Sequence, residues 1–143
     1  MHDIINQARE LLTARLYRNE SLGSSRETES YLALQLGDRE QEVFSVIYLD
    51  SQNRVIQYRE MFHGTIASTA VYPREIARLA LRLNAAAVIC SHNHPSGYPE
   101  PSGTDRAITK RIQEAMELID VRVVDHIVVG GGKTVSFADR GWL

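Results

Sequence analysis

Apolar residues recur at helical spacing from the start of the chain. Ile4, Ile5, Ala8, Leu11, Leu12 and Leu16 make one stripe and predict a helix over roughly residues 3–18. In the polar stretch SLGSSRETES, Ser24 and Glu27 have capping-box spacing for a second helix that runs to about Leu36 and stops at Gly37. The pattern then changes. EVFSVIYLD, opened by Glu42, is β-branched and aromatic, DSQN at 50–53 is turn chemistry, and RVIQYREMF supplies a partner strand. Residues 42–62 therefore read as a hairpin. Pro73 begins a third helix that continues through REIARLALRLN to Asn84. AAAVIC is a short, wholly apolar run of the kind found in buried strands.

The stretch SHNHPSGYPEPSG is irregular and holds three of the four prolines. A helix follows from about Gly103 to Ile119, with Ile108, Ile112, Ala115, Met116 and Ile119 on one face. VRVVDHIVVGG and TVSF are the last strands. Hairpin and crossover connections in one chain predict an α/β fold. Residues 1–24 read as an N-terminal helix and linker, and residues 25–143 as one domain.

Composition narrows this little. A chain of 143 residues suits a single core, and 43% hydrophobic with 24% charged residues is globular usage. The formal net charge of −2 lends no support to a nucleic-acid partner, although Arg106, Lys110 and Arg111 lie close together on one helix. One cysteine, Cys90, rules out an internal disulfide and is expected to be a packing residue. No stretch has the length of a membrane span, and MHDIINQARELL is not a secretory signal, so a cytoplasmic protein without a membrane partner is expected. The first helix and the apolar hairpin allow a homodimer.

The chemistry lies in SHNHPSGYPEPSGTD. His92-x-His94 stands where a buried strand ends, and side chains at i and i+2 of extended backbone point the same way. Seven residues later come Ser102-x-x-Asp105, with Asp105 in the first turn of the following helix. Two imidazoles and one carboxylate make three zinc ligands and leave the fourth tetrahedral position for water, which distinguishes a catalytic zinc from a structural one. A chance match to H-x-H-x7-S-x2-D in a chain of this length is on the order of 10⁻⁴ to 10⁻³. One zinc ion per chain is expected on His92, His94 and Asp105.

A metal-bound water needs a base. Glu42 is the first choice because its strand could lie beside AAAVICSH, with Glu40, Glu60 and Glu100 as competitors on spacing. Ser102 has N-cap spacing, and its hydroxyl could also stabilise an oxyanion. His63, before Gly64, reads as a turn residue, and Asp125-His126 as a structural hydrogen-bonding pair. Gly130-Gly131-Gly132 reads as a turn between strands rather than a phosphate loop. His92-Asn93-His94 is not the HNH of the nucleases, whose three residues lie far apart in sequence.

An upstream Glu, H-x-H, seven residues and S-x-x-D together resemble the JAMM signature of the JAB/MPN+ metalloprotease superfamily. The closer resemblance is to its RadC-like branch, whose members have been described as DNA repair proteins. It is carried by FHGTI (62–66), VYPREI (71–76), NAAAVIC (84–90), SHNHPSG (91–97), Pro101-Ser102 with Asp105, DHIVVG (125–130) and SF (136–137), and spans about Ser25 to the C-terminus. The resemblance implies a mixed β-sheet flanked by helices, like cytidine deaminases in outline. It implies zinc on His92, His94 and Asp105, Glu42 as acid and base, and Ser102 at the oxyanion.

Active members of the superfamily cleave peptide or isopeptide bonds, often at ubiquitin-like tails, so a peptide or protein substrate is the expected partner. Full-length RadC proteins carry a helix-hairpin-helix region for which this chain is too short, and that departure weakens an inherited expectation of DNA binding. Three functions compete: a zinc metallopeptidase or isopeptidase, a nucleic-acid processing factor of the RadC type, and a binding module without turnover. The intact ligand set ranks the first ahead.

Overall fold

The computed structural model describes residues 2–16, 25–66 and 70–143. Its elements are α1 (His2–Leu16), α2 (Ser25–Leu36), β1 (Val43–Leu49), β2 (Val55–His63), α3 (Pro73–Arg82), β3 (Ala87–Asn93), α4 (Gly103–Glu117), β4 (Arg122–Gly130) and β5 (Lys133–Ser136). The five strands form one sheet in the order β2-β1-β3-β4-β5. β1 pairs antiparallel with both β2 and β3, β3 pairs parallel with β4, and β4 returns antiparallel to β5. This is the α/β fold that the residue pattern predicts and the mixed, helix-flanked sheet that the family resemblance implies.

Side-chain alternation divides the core into two layers. On one face Val43, Ile47 and Leu49 of β1, with Ala87 and Ile89 of β3, pack under Tyr31, Leu32 and Leu36 of α2. On the other face Phe44, Val46 and Tyr48, with Val88 and Cys90, pack against Ile76 and Ala80 of α3 and Ile108, Ile112 and Met116 of α4. β1 and β3 are buried along their whole length, as central strands covered on both sides must be.

The turns use the chemistry expected of them. Asp50 Oδ1 accepts hydrogen bonds from the backbone N–H of Gln52 and Arg54, each 2.9 Å, and Asn53 takes the left-handed backbone at φ 59°. Pro73 stands in the first turn of α3 behind Tyr72. That helix ends at Arg82 rather than Asn84, because Asn84 turns left-handed at φ 54°. Similarly α4 stops at Glu117, two residues before Ile119. The Ser24 cap and residues 17–18 lie outside the described residues.

The apolar stripe of α1 is split. Leu12 packs toward the α2 layer, and Arg9 donates to Leu34 O and pairs with Asp38, both at 2.9 Å. Ile4 and Leu11 sit at the stripe's edge and are 71% and 68% exposed. No helix among the described residues is long and apolar enough to cross a membrane.

Candidate metal centre

β3 delivers its last residues to the sheet's end beside α4. Because the strand alternates, Cys90 and His92 face α4, while Ser91 and Asn93 face the other way. His94 continues the ladder by donating its N–H to Val129 O at 2.8 Å. Asp105 approaches from the first turn of α4, where Ser102 and Asp105 form a complete capping box. Ser102 Oγ accepts from Asp105 N at 3.0 Å, and Asp105 Oδ2 accepts from Ser102 N at 2.8 Å. The cap fixes the carboxylate's direction, and the seven-residue loop brings it back to the strand.

The three predicted ligands converge. His92 Nε2 lies 3.2 Å from His94 Nε2 and 3.2 Å from Asp105 Oδ1, and His94 Nε2 lies 3.0 Å from Asp105 Oδ2. His92 and Asp105 are buried and His94 half-buried. A tetrahedral zinc with ligands at about 2.0–2.1 Å has edges of roughly 3.3 Å, so the spacing fits that ion.

Donor chemistry fits as well. His94 Nδ1 meets Tyr98 O at 2.8 Å, and a carbonyl only accepts, so the proton of a neutral His94 sits on Nδ1 and the lone pair on Nε2. His92 Nδ1 meets His126 Nε2 at 2.8 Å, and His126 Nδ1 meets Thr109 Oγ1. These are the outer contacts that metal-ligating histidines need.

The electrostatics favour a charged carboxylate facing two imidazoles. Burial pushes the Asp105 carboxyl up, but hydrogen bonds from His92 and His94, the charge of His92 and the Ser102 N–H outweigh it and hold it well below the usual carboxylate range. His94 is raised chiefly by its hydrogen bond to Asp105, against burial, with the Tyr98 carbonyl and the charges of Asp105 and Glu42 adding to the rise. His126 is lowered by burial and by the neighbouring His92. The Cys90 thiol, fully buried, is pushed up to about 12, foremost by burial, and stands outside the ligand set.

Glu42 stands just before β1 and accepts the Ile66 N–H on Oε2 at 3.0 Å. Two competitors for its place are engaged elsewhere. Glu60 pairs with Arg39 and His63, and Glu100 makes a fork to Arg140 with contacts of 2.6 and 2.8 Å. Glu40 is exposed. His63 is the final residue of β2 rather than a turn residue, because the strand runs on until Gly64 takes a φ of 100°.

Several site residues escape sequence reasoning. Asn93, the middle letter of HNH, accepts the Val43 N–H on Oδ1 at 2.7 Å and donates from Nδ2 to Gln41 O at 3.0 Å. It thereby grips the backbone on both sides of Glu42. Thr109 lies four residues after Asp105 on an otherwise apolar helix face, a polar exception that could have marked it. Asp125 proves structural: its carboxylate accepts from His126 N, Ala138 N and Ser136 Oγ. Gly131 and Gly132 turn β4 into β5 with positive φ of 59° and 76°, as the sequence predicts.

Comparison with known proteins agrees with this geometry. A model of the RadC-like JAB domain matches residues 22–142. A UPF0758 protein of Vibrio cholerae is 49% identical over 142 residues, covering 99% of this chain and 89% of that protein. UPF0758 proteins of Aeromonas hydrophila and Tolumonas auensis are 54% and 52% identical, each over 140 residues. In both cases 98% of this chain matches, and it spans only 62% of the relative's length. With the family's sheet, its matched length and a convergent His92–His94–Asp105 trio all in place, the chain belongs to the RadC-like JAB domain family.

Proposed function

We propose that this protein is a zinc-dependent hydrolase that cleaves peptide or isopeptide bonds, with His92, His94 and Asp105 holding the ion. The observation that carries the reading is the trio itself. Its donor atoms lie within 4.8 Å of one another, and both imidazoles have outer hydrogen-bond partners. A bound zinc supplies Lewis acidity, lowering the pKa of coordinated water to around 7 and polarising a carbonyl.

The chain's own groups supply the rest. Glu42 takes the proton of the attacking water and returns it to the leaving amine. The Ile66 N–H on Oε2 holds that carboxylate in one orientation. Ser102 Oγ already accepts from Asp105 N, which leaves its own proton to donate to the oxygen that gains charge during attack.

The test is zinc content by plasma mass spectrometry on wild type, Asp105→Ala and Glu42→Gln, followed by hydrolysis of a peptide and isopeptide panel. About one zinc per chain is expected in wild type and Glu42→Gln, and little in Asp105→Ala. Activity is expected in wild type alone. A Glu42→Gln protein that still hydrolyses would overturn the base assignment. Wild type without zinc after reconstitution would overturn the hydrolase.

A further inference from the structure

We propose that Thr109 and His126 are positioning residues that set the tautomer of His92 and so commit its Nε2 lone pair to the metal; the inference rests on the metal reading above. The contacts form a ring that starts and ends on Asp105. Thr109 Oγ1 donates to Asp105 O at 2.9 Å and touches His126 Nδ1. His126 Nε2 meets His92 Nδ1 at 2.8 Å, and His92 Nε2 meets Asp105 Oδ1 at 3.2 Å.

A hydroxyl has one proton. With that proton given to Asp105 O, the contact between Thr109 and His126 is filled by the imidazole's Nδ1–H. A neutral His126 then has a bare Nε2, which accepts Nδ1–H from His92, and His92 Nε2 is left with a lone pair facing the donor trio. The opposite order is self-consistent too. A hydroxyl turned to His126 Nδ1 puts protons on His126 Nε2 and His92 Nε2, and the latter points at Asp105 with no lone pair to offer a cation. The two orders exclude one another, and Thr109 is the terminus that selects between them.

Packing fixes the planes of both rings, and a 180° flip within either plane would put carbon where each nitrogen now meets its partner. His126 is fully buried and stacks on Phe137 with centroids 4.7 Å apart and planes 19° apart. Phe44 stacks on His92 at 11° and meets His126 edge-on at 5.5 Å.

The experiment compares Thr109→Val, which keeps the shape but cannot accept, with Thr109→Ser, which restores the hydroxyl. Zinc affinity is measured by competition with a chromophoric chelator. The imidazole 15N resonances of zinc-loaded wild type are recorded alongside. Thr109→Val is expected to weaken zinc binding by about 10- to 100-fold, the usual effect of an outer-shell partner, and Thr109→Ser to remain near wild type. His126 is expected to carry its proton on Nδ1.

Equal affinity of Thr109→Val and wild type, equal loss in both variants, or a proton on His126 Nε2 overturns the proposal. If Thr109→Val does not fold, the wild-type 15N spectrum decides alone. A wild type that binds no zinc removes the metal reading itself, whereas a zinc-binding wild type with an unaffected Thr109→Val removes only the role of Thr109 and His126.

Discussion

Gly130 lies directly beneath Pro99. A methyl group on its Cα would stand 2.9 Å from Pro99 N, 3.0 Å from Tyr98 C and 3.1 Å from Gly97 C, all backbone atoms. The β4–β5 turn is therefore a seat for the loop between His94 and Ser102, and that loop carries the Tyr98 carbonyl that orients His94.

Replacing Gly130 by Ala is expected to push the loop outward at a cost of about 1–3 kcal/mol and to weaken zinc binding through His94. Gly130 itself does not need a positive φ, so the effect is one of space. Gly103→Ala, at a position with nothing within 4 Å, is the control and is expected to leave zinc affinity unchanged and stability equal or higher. Chelator competition and thermal melting measure both. Unchanged zinc affinity in Gly130→Ala would show that the loop's position does not govern His94.

The difference between what was legible and what was not has a physical source. His92, His94 and Asp105 could be read from sequence because each relation is local: strand alternation places two imidazoles, and a capping box directs one carboxylate. Asn93 acts on Val43 across 50 residues, and His126 on His92 across 34. Those pairings depend on strand order, which no local pattern encodes. Gly130 reads as a turn residue, and its reason for being Gly is a loop 31 residues earlier. Ile4 and Leu11 fit the helical stripe of α1 yet stay exposed, because periodicity gives a helix's apolar arc but not how much of it the neighbour covers.

Asn93→Ala removes the acceptor of the buried Val43 N–H and the donor to the carbonyl of Gln41, an exposed residue. A loss of about 1–3 kcal/mol in unfolding free energy is expected by urea titration. Because Glu42 sits between the two gripped residues, hydrolysis should fall far more than zinc content. A variant that loses zinc and activity in equal proportion would instead assign Asn93 to the ligand strand alone.

Glu60 offers a pH signature away from the metal. Burial pushes its carboxyl up, but hydrogen bonds from His63 and Arg39 outweigh it and lower the folded value. The folded pKa is below the unfolded one, so its stabilisation is complete above the unfolded carboxylate pKa of about 4.3 and is lost as pH falls through the folded value. Both partners of Glu60 are about a third or more exposed, so solvent screening limits the contribution to about 1 kcal/mol or less. Wild type should therefore melt above Glu60→Gln at pH 6, and the gap should close as the solution is acidified toward pH 3. A gap that stayed constant over that range would assign the contact's worth to packing rather than charge.

The alternation of His92, Asn93 and His94 also governs which errors of assembly the protein can survive. β1 and β3 meet with Phe44 opposite His92, and a slip of one residue would turn imidazoles toward α2 and the amide toward α4. No partly correct site exists between those two arrangements. A single residue inserted between Ser91 and His92 would turn both imidazoles and the Asn93 clamp to the wrong faces together. The 50–53 turn, at the opposite end of β1, could lengthen for little more than the entropy of closing a longer loop. Length variation in this fold is thus expected to accumulate at one end of the sheet and to be barred from the other.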